Sequence, residues 1–343
     1  MSRLDFADAA QVRRYDEFVS TSSYGHCMQS PRWTQVKDNW QHDAVYLERD
    51  GEIIASLLLL SVQNPNGGVF MYAPRGPVCD LTDLATVNAL LAEAAQIAQE
   101  RGAFLLRLDP DVLYSEELLQ LLRAGLEYPQ INLRTRGEDE HSFSNPRHHM
   151  ILDLAGKDFD AYFAGMLAKK RTEVRKTYKV GLQTRRIHPT DQDFPAALDT
   201  FYELTQIMAQ RQGITHRPKA YFARLIQAFP SAVIYQTYLA PEHILSASIV
   251  VNYGHKAFYM YAASADELAH LHPSIQMNNE AIIDTIENPE LTEYDFGGIF
   301  STSKEDGLYV FKAKFCGPQG VREYLGEIDL IFDEEKYQQF LGA

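Results

Sequence analysis

An internal repeat constrains the fold more than any other feature, because one order of predicted elements occurs twice in 343 residues. The first copy consists of a hairpin with an Asp-Gly turn, a strand, a helix and a buried strand, predicted at residues 45–56, 69–74, 81–101 and 103–110. The second copy repeats that order at residues 233–253, 258–263, 273–287 and 291–298. This order predicts an α/β (α+β) fold of two tandem domains, each a mixed sheet with helices packed on it.

The length of the chain also favours two domains. We expect the first domain at residues 1–150, completed by the C-terminal residues 324–343, and the second at 151–323. Helices are predicted to open the two halves at residues 9–19 and 194–211.

Composition indicates a soluble cytoplasmic protein. Residues 1–18 are rich in charge and unlike a signal peptide, and the longest apolar run, 53–60, is too short to span a bilayer. The three cysteines, Cys27, Cys79 and Cys316, are widely spaced and form no CxxC pair, which is typical of reduced thiols and argues against structural zinc.

The net charge of −14 is unevenly distributed. Between Lys169 and Arg186 lie eight Lys and Arg residues against the single acid Glu173. Helical spacing places Arg171, Arg175 and Lys179 on one face, where they would attract a polyanion. The alternative is an ordinary solvated helix face.

One lysine is surrounded by aromatic residues near the C-terminus. Lys312 follows a predicted strand and loop, and helical spacing places it beside a stripe formed by Leu308, Phe311 and Phe315. A cation held in this way is suited to meet negative charge. A lysine whose stem packs on the core while its amine reaches water is the alternative.

The chain resembles the FemABX aminoacyltransferases, which build the interpeptide bridge of peptidoglycan on two tandem acetyltransferase-like (GNAT-like) domains. The matching stretches are residues 23–25, 33–40, 75–78, 106–110, 213–218, 259–262, 295–299 and 308–312. They run through the whole chain, and within the family they match best the members that act on UDP-MurNAc-pentapeptide.

The resemblance implies transfer of an amino acid, alanine or serine, from aminoacyl-tRNA to the ε-amine of the stem-peptide lysine. Lys312 would stabilise the tetrahedral oxyanion, and Phe311 would contact the tRNA end. No covalent enzyme intermediate, metal or cofactor is expected, and no HExxH or GxSxG motif occurs.

The resemblance also implies a binding site for the acceptor. Lys37 and Arg217 would bind its pyrophosphate, and Thr215, Tyr221 and Tyr261 would line the same cleft. Lys37 is otherwise an exposed lysine on a helix between Trp33 and Trp40, and Tyr261 a core aromatic. Asp109 is the candidate base, with a structural carboxylate at a strand end as its alternative.

Lipid-linked members of the family often carry a long helical arm in the second domain, for which residues 186–211 are too few. Contact with tRNA would then fall to Lys169, Lys170, Arg171 and Arg175. The missing arm favours the UDP-linked acceptor, and we expect a monomer without membrane insertion.

Two other functions compete with this one. An acyl-CoA-dependent N-acyltransferase would share the fold, but no pyrophosphate-binding loop of the RxxGxG/A kind is found. A non-catalytic RNA-binding protein would use the basic segment alone, and would leave Lys37, Arg217 and Lys312 without a common purpose.

Overall fold

The computed structural model of the chain describes residues 1–65, 67–137 and 143–342. In chain order its strands and α-helices are β1 (Ser2–Arg3), α1 (Ala9–Thr21), α2 (Trp33–Val36), β2 (Gln41–Arg49), β3 (Glu52–Gln63), β4 (Val69–Arg75), α3 (Leu84–Glu100), β5 (Ala103–Pro110), α4 (Glu116–Gly125), β6 (Ile131–Arg134), β7 (His148–Asp153), α5 (Phe159–Gly165), α6 (Ala168–Lys179), β8 (Gln183–Ile187), α7 (Phe194–Gln212), α8 (Lys219–Ala228), β9 (Val233–Ala240), β10 (His243–Tyr253), β11 (Lys256–Ser264), α9 (Pro273–Glu287), β12 (Glu293–Ile299), α10 (Gly307–Cys316), β13 (Val321–Glu323), β14 (Glu327–Ile331) and α11 (Glu334–Leu341).

The chain divides into two compact units. Unit 1 comprises Met1–Arg147 and the residues from Arg322 onward, and unit 2 comprises His148–Val321. Each unit is built on a seven-stranded sheet, in the orders β1-β2-β3-β4-β5-β14-β6 and β13-β7-β12-β11-β10-β9-β8. The predicted mixed α/β architecture is therefore confirmed.

In unit 1 the C-terminal strand β14 lies between β5 and β6 and is antiparallel to both. The apolar face of α3 packs on one side of this sheet, where Leu90, Leu91 and Ala94 are buried. On the other side α11 adds Tyr337 and Phe340 to a second cluster. A buried ion pair joins the neighbouring strands, because Arg107 donates two 2.7 Å hydrogen bonds to Asp329.

The repeat is visible in the strand order, since β2-β3-β4-β5 of unit 1 corresponds to β9-β10-β11-β12 of unit 2. In both units the last two of these strands are parallel and a helix connects them, α3 in unit 1 and α9 in unit 2. Parallel neighbours require such a crossover.

The two parallel strand pairs differ in the length over which their strands stay hydrogen-bonded. In unit 1 the pairing of β4 with β5 continues to Arg75 and Pro110, the last residues of both strands. In unit 2 the pairing of β11 with β12 runs from Lys256 and Glu293 only to Phe258 and Asp295. Beyond that point β11 and β12 continue along different neighbours, which leaves a space at this end of the sheet.

In place of a two-helix arm, the chain between Phe194 and Gln212 forms the single helix α7. Within the described residues, no helix combines the length and the apolar character needed to cross a membrane.

Candidate active site

A cavity of about 910 Å³ in unit 2 occupies the place where β11 and β12 separate. Its walls come from the diverging strands, the end of α7 and the start of α10. Three of the predicted site residues line it: Tyr261, Phe311 and Lys312. The structure therefore brings a predicted acceptor contact, a predicted tRNA contact and the predicted oxyanion-stabilising lysine to one cavity.

Helix α10 begins at a fixed position because Asp306 caps it. One carboxylate oxygen accepts from the amides of Leu308 and Tyr309 in the first turn. The other oxygen accepts from the amides of Phe300 and Ser301 in the preceding loop. These amides hold the pKa of Asp306 below its ordinary value although burial opposes them. One charged side chain thus fixes both the loop and the helix that carries Lys312.

Lys312 is a buried lysine, only 6% exposed. Its ammonium donates a 2.6 Å hydrogen bond to the carbonyl oxygen of Gly298. Burial lowers its pKa to about 8, while the charges of Asp295 and Asp306 act in the opposite direction. The snorkelling interpretation is wrong for this side chain, because the amine lies in the wall of the cavity and not in open water.

An irregularity in β12 directs the Gly298 carbonyl. The register between β12 and β7 shifts between Asp295 and Gly298, and Gly297 has a φ of 78°. Such a bulge re-aims the backbone locally, and the positive φ favours glycine. Asp295 stabilises the bulge by accepting a 2.6 Å hydrogen bond from the Gly297 amide.

Asp295 is itself held by a histidine on the neighbouring strand. His149 Nδ1 lies 3.2 Å from each of its carboxylate oxygens, and both residues are buried. Burial would raise the pKa of Asp295, but His149 and the Gly297 amide lower it to about 2. The ionised carboxylate of Asp295 is therefore a negative charge that acts on Lys312.

Two of the proposed acceptor residues of unit 2, Tyr221 and Tyr261, are in contact, and Arg217 lies against the first of them. The Tyr261 hydroxyl donates to the Tyr221 hydroxyl at 3.0 Å, and the Arg217 guanidinium lies 5.3 Å from the centre of the Tyr221 ring. Thr215 is exposed in the loop beside Ile214, which lines the cavity. Tyr261 is only partly buried and borders the cavity, so the core interpretation does not describe it.

Lys37 belongs to unit 1, where the predicted helix is present but shorter than expected, so that Lys37 is its C-cap. Helix α2 ends at Val36, and Lys37 has a φ of −98° and a ψ of 47°, outside the helical region. Its ammonium lies 5.7 Å from the centre of the Trp40 ring. Its role in binding pyrophosphate stays a prediction.

Asp109, also in unit 1, is buried at the end of β5 with its oxygens occupied. It accepts from the backbone amides of Arg75 at 2.6 Å and Asn145 at 2.7 Å, and from the Tyr72 hydroxyl at 2.5 Å. These three donors hold the carboxylate in one orientation at the strand end. The contacts favour the structural alternative.

The basic segment is divided between internal contacts and exposed side chains. Lys170 pairs with Glu173 at 3.0 Å, and Arg171 donates to the carbonyls of Ala164 and Met166. Arg185 and Arg186 likewise contact neighbours in unit 2. The exposed cations of α6 are Lys169, Arg175, Lys176 and Lys179. Of the four basic residues predicted to contact tRNA, Lys169 and Arg175 are therefore the exposed ones.

Sequence reasoning did not find Asp306, the pair of His149 and Asp295, or the cavity wall formed by Met208 and Arg211. Asp306 could have been found from the sequence, since an Asp followed by Gly-Leu-Tyr before a helix is typical of an N-cap. The other contacts join distant segments, and no local pattern predicts them.

Comparisons with known proteins cover nearly the whole chain. A model described as the FemAB family matches residues 11–236 and 234–341. The UDP-N-acetylmuramoylpentapeptide-lysine N(6)-alanyltransferase of Weissella viridescens is 36% identical over 99% of both chains. A lipid II:glycine glycyltransferase of Staphylococcus aureus (strain MRSA252) is 25% identical over 95% of this chain and 93% of its own.

Solved structures give the same fold. The crystal structure of FemX superposes with a TM-score of 0.82 at 22% identity, covering 99% of both chains. A tandem GNAT protein from the clavulanic acid biosynthesis pathway gives a TM-score of 0.55 at 13% identity and covers 95% of this chain and 96% of that one. These structures confirm the predicted pair of acetyltransferase-like domains.

Proposed function

We propose that this chain, which belongs to the FemAB family and is a transferase, adds one amino acid to a lysine of a peptidoglycan precursor. The donor is alanyl- or seryl-tRNA, and the acceptor is the stem-peptide lysine of UDP-MurNAc-pentapeptide in the cytoplasm. The observation that carries the proposal is the buried ammonium of Lys312 in the wall of the cavity between β11 and β12.

The chemistry follows from that position. The ε-amine attacks the ester carbonyl, a C–N bond forms, and the carbonyl oxygen becomes an oxyanion that Lys312 stabilises electrostatically. When the intermediate collapses, the C–O bond to the terminal ribose breaks, and the ribose oxygen leaves with the proton that the attacking nitrogen releases. The ammonium is already oriented by Gly298, so little reorganisation is needed during the reaction.

Phe311 supports the proposed donor side of the site. Its ring lines the same cavity as Lys312 and is partly exposed, as a platform for the terminal adenine must be. Arg217, held against Tyr221, is the proposed pyrophosphate contact in unit 2. Asp109 has a structural role in this scheme, because its hydrogen bonds fix the end of β5 to neighbouring backbone amides.

Mass spectrometry tests the proposal directly. Purified protein is incubated with UDP-MurNAc-pentapeptide and either alanyl- or seryl-tRNA, and the expected product is heavier by one alanyl or seryl residue. A precursor whose stem lysine is Nε-acetylated should give no product. Absence of a mass increase with both charged tRNAs would reject the proposal, and acylation from acetyl-CoA alone would indicate the acyl-CoA-dependent reaction.

A further inference from the structure

A second cavity of unit 2 shares no wall residue with the cavity that Lys312 lines. This aromatic slot has a volume of about 430 Å³ and lies between α5, α6 and α9; its walls include Phe159, Phe163, Arg175, Tyr178, Asn279 and Ile283. The rings of Phe159 and Phe163 are nearly parallel, at 19° and 5.3 Å between centres. Phe159 is 40% exposed and Tyr178 42%. Aromatic surface is therefore open to solvent here.

Hydrogen bonds fix the position of Tyr178. Its hydroxyl donates to Glu280 at 2.5 Å and accepts from the side-chain amide of Asn279 at 2.8 Å. Asn279 is in turn bonded to the hydroxyl of Tyr162 beneath it. A preorganised wall loses little conformational entropy when a flat ring stacks against it.

The slot adjoins the exposed cations of α6. Arg175 lies in its wall with the guanidinium 5.0 Å from the centre of the Phe163 ring. Lys179, one turn beyond Arg175 on the same helix, is also exposed. On a protein whose net charge is −14, this combination selects a ligand that carries both negative charge and flat rings.

Helix α6 also contacts the helix that carries Lys312. Glu173 of α6 lies 3.8 Å from the ammonium of Lys314. Lys314 belongs to α10, two residues beyond Lys312. The same helix, α6, therefore contributes residues to the slot and a contact with α10.

We propose that the aromatic slot binds one unpaired nucleobase of the donor RNA, with the phosphates on either side of that base contacting the exposed cations of α6. This inference rests on the proposed function, because it assumes that the donor is an RNA. Stacking on Phe159 and Tyr178 gives the contact, and Arg175 adds a cation over the same surface.

The test compares two RNAs and two variants. The probes are an acceptor-stem RNA duplex with blunt ends and the same duplex with a single-stranded 3′ overhang, and binding is followed by fluorescence anisotropy. Phe159→Ala should weaken binding of the overhang duplex by roughly 5- to 150-fold, the range for loss of one stacked base, and leave the blunt duplex unchanged. Leu167→Ala is the control, because Leu167 is 65% exposed near the slot but does not line it.

Each other outcome contradicts the inference. An equal loss for both duplexes would mean that Phe159 supports the protein surface and contacts no unpaired base; no loss would exclude a role in RNA binding. Phe159-dependent binding to vesicles of phosphatidylglycerol, with RNA binding unchanged, would assign the slot to a lipid surface. If the native protein transfers amino acids while Phe159→Ala binds both RNAs normally, only this inference fails. If the native protein binds neither RNA, the proposed donor fails as well.

Discussion

The ammonium of Lys312 and the carbonyl oxygen of Gly298 are joined by a 2.6 Å hydrogen bond. The lysine is on α10 and the glycine in the bulge of β12, so the bond holds the helix against the strand where β11 and β12 separate. One donor hydrogen is used in this bond, and an ammonium has three. The others are available to a reacting oxygen in the cavity.

Replacement of Lys312 by Met should lower kcat by roughly 100- to 1,000-fold, the usual loss when one oxyanion donor is removed. Binding of UDP-MurNAc-pentapeptide, measured by calorimetry, should stay near normal, since Lys312 is not among the proposed acceptor contacts. Thermal unfolding serves as the control for folding. Unchanged turnover in a folded variant would remove Lys312 from the reaction.

The pKa of Lys312 predicts a loss of activity at alkaline pH. Burial lowers this pKa to about 8, so the ammonium is present below that pH and is lost as the pH rises through it. We expect kcat to fall above pH 8, after correction for uncatalysed hydrolysis of the ester. A kcat that keeps rising well beyond this pH would contradict an essential ammonium.

Asp295→Asn should move that falling limb to lower pH. The charges facing Lys312 are Asp295 and Asp306, with the Cys316 thiol as a smaller influence, and all three raise its pKa. Removal of the Asp295 charge therefore lowers the pKa of Lys312 further. A uniform drop in kcat at every pH, without a shift of the limb, would show that Asp295 acts only on folding.

Arg217→Gln tests the acceptor site separately. We expect the KM for UDP-MurNAc-pentapeptide to rise by about 10-fold or more, because a hydrogen bond between charged groups is lost. The KM for the charged tRNA should not change. Tyr221→Phe is a companion variant: it removes the hydroxyl that accepts from Tyr261 and keeps the ring that Arg217 faces, so it separates the effect of that hydroxyl from the effect of the Arg217 charge. An unchanged KM in Arg217→Gln would exclude a contact with the acceptor.

Asp329→Ala should destabilise unit 1 strongly. Arg107 and Asp329 are both fully buried, and loss of one partner leaves a buried charge unpaired, which costs about 3–5 kcal/mol. Denaturant unfolding measures the change. Glu100→Ala, which breaks an exposed pair with Arg3, should have a much smaller effect. Equal effects would mean that burial of the Arg107 pair adds nothing.

Local patterns predicted most of the fold, because the strands alternate or are continuously apolar and Asp-Gly marks the first hairpin at Asp50. They also placed Lys312 on a helix after a strand. They could not predict that Asp109 would accept from the amides of Arg75 and Asn145, since one lies at the end of β4 and the other in a distant loop. Nor could they separate Arg185, which donates to Gln236 of the neighbouring strand, from the exposed Lys179. Charge is read from the sequence, but partners depend on tertiary structure.

The position of β14 determines the order in which this protein can fold during synthesis. Unit 2 is one continuous segment, whereas the sheet of unit 1 lacks the strand between β5 and β6 until residues 327–331 have been made. A nascent chain on the ribosome can therefore complete unit 2 while the N-terminal part of unit 1 still exposes an open strand edge and an unpaired Arg107. A truncation that removes β14 from the C-terminus would therefore disrupt unit 1 and not unit 2.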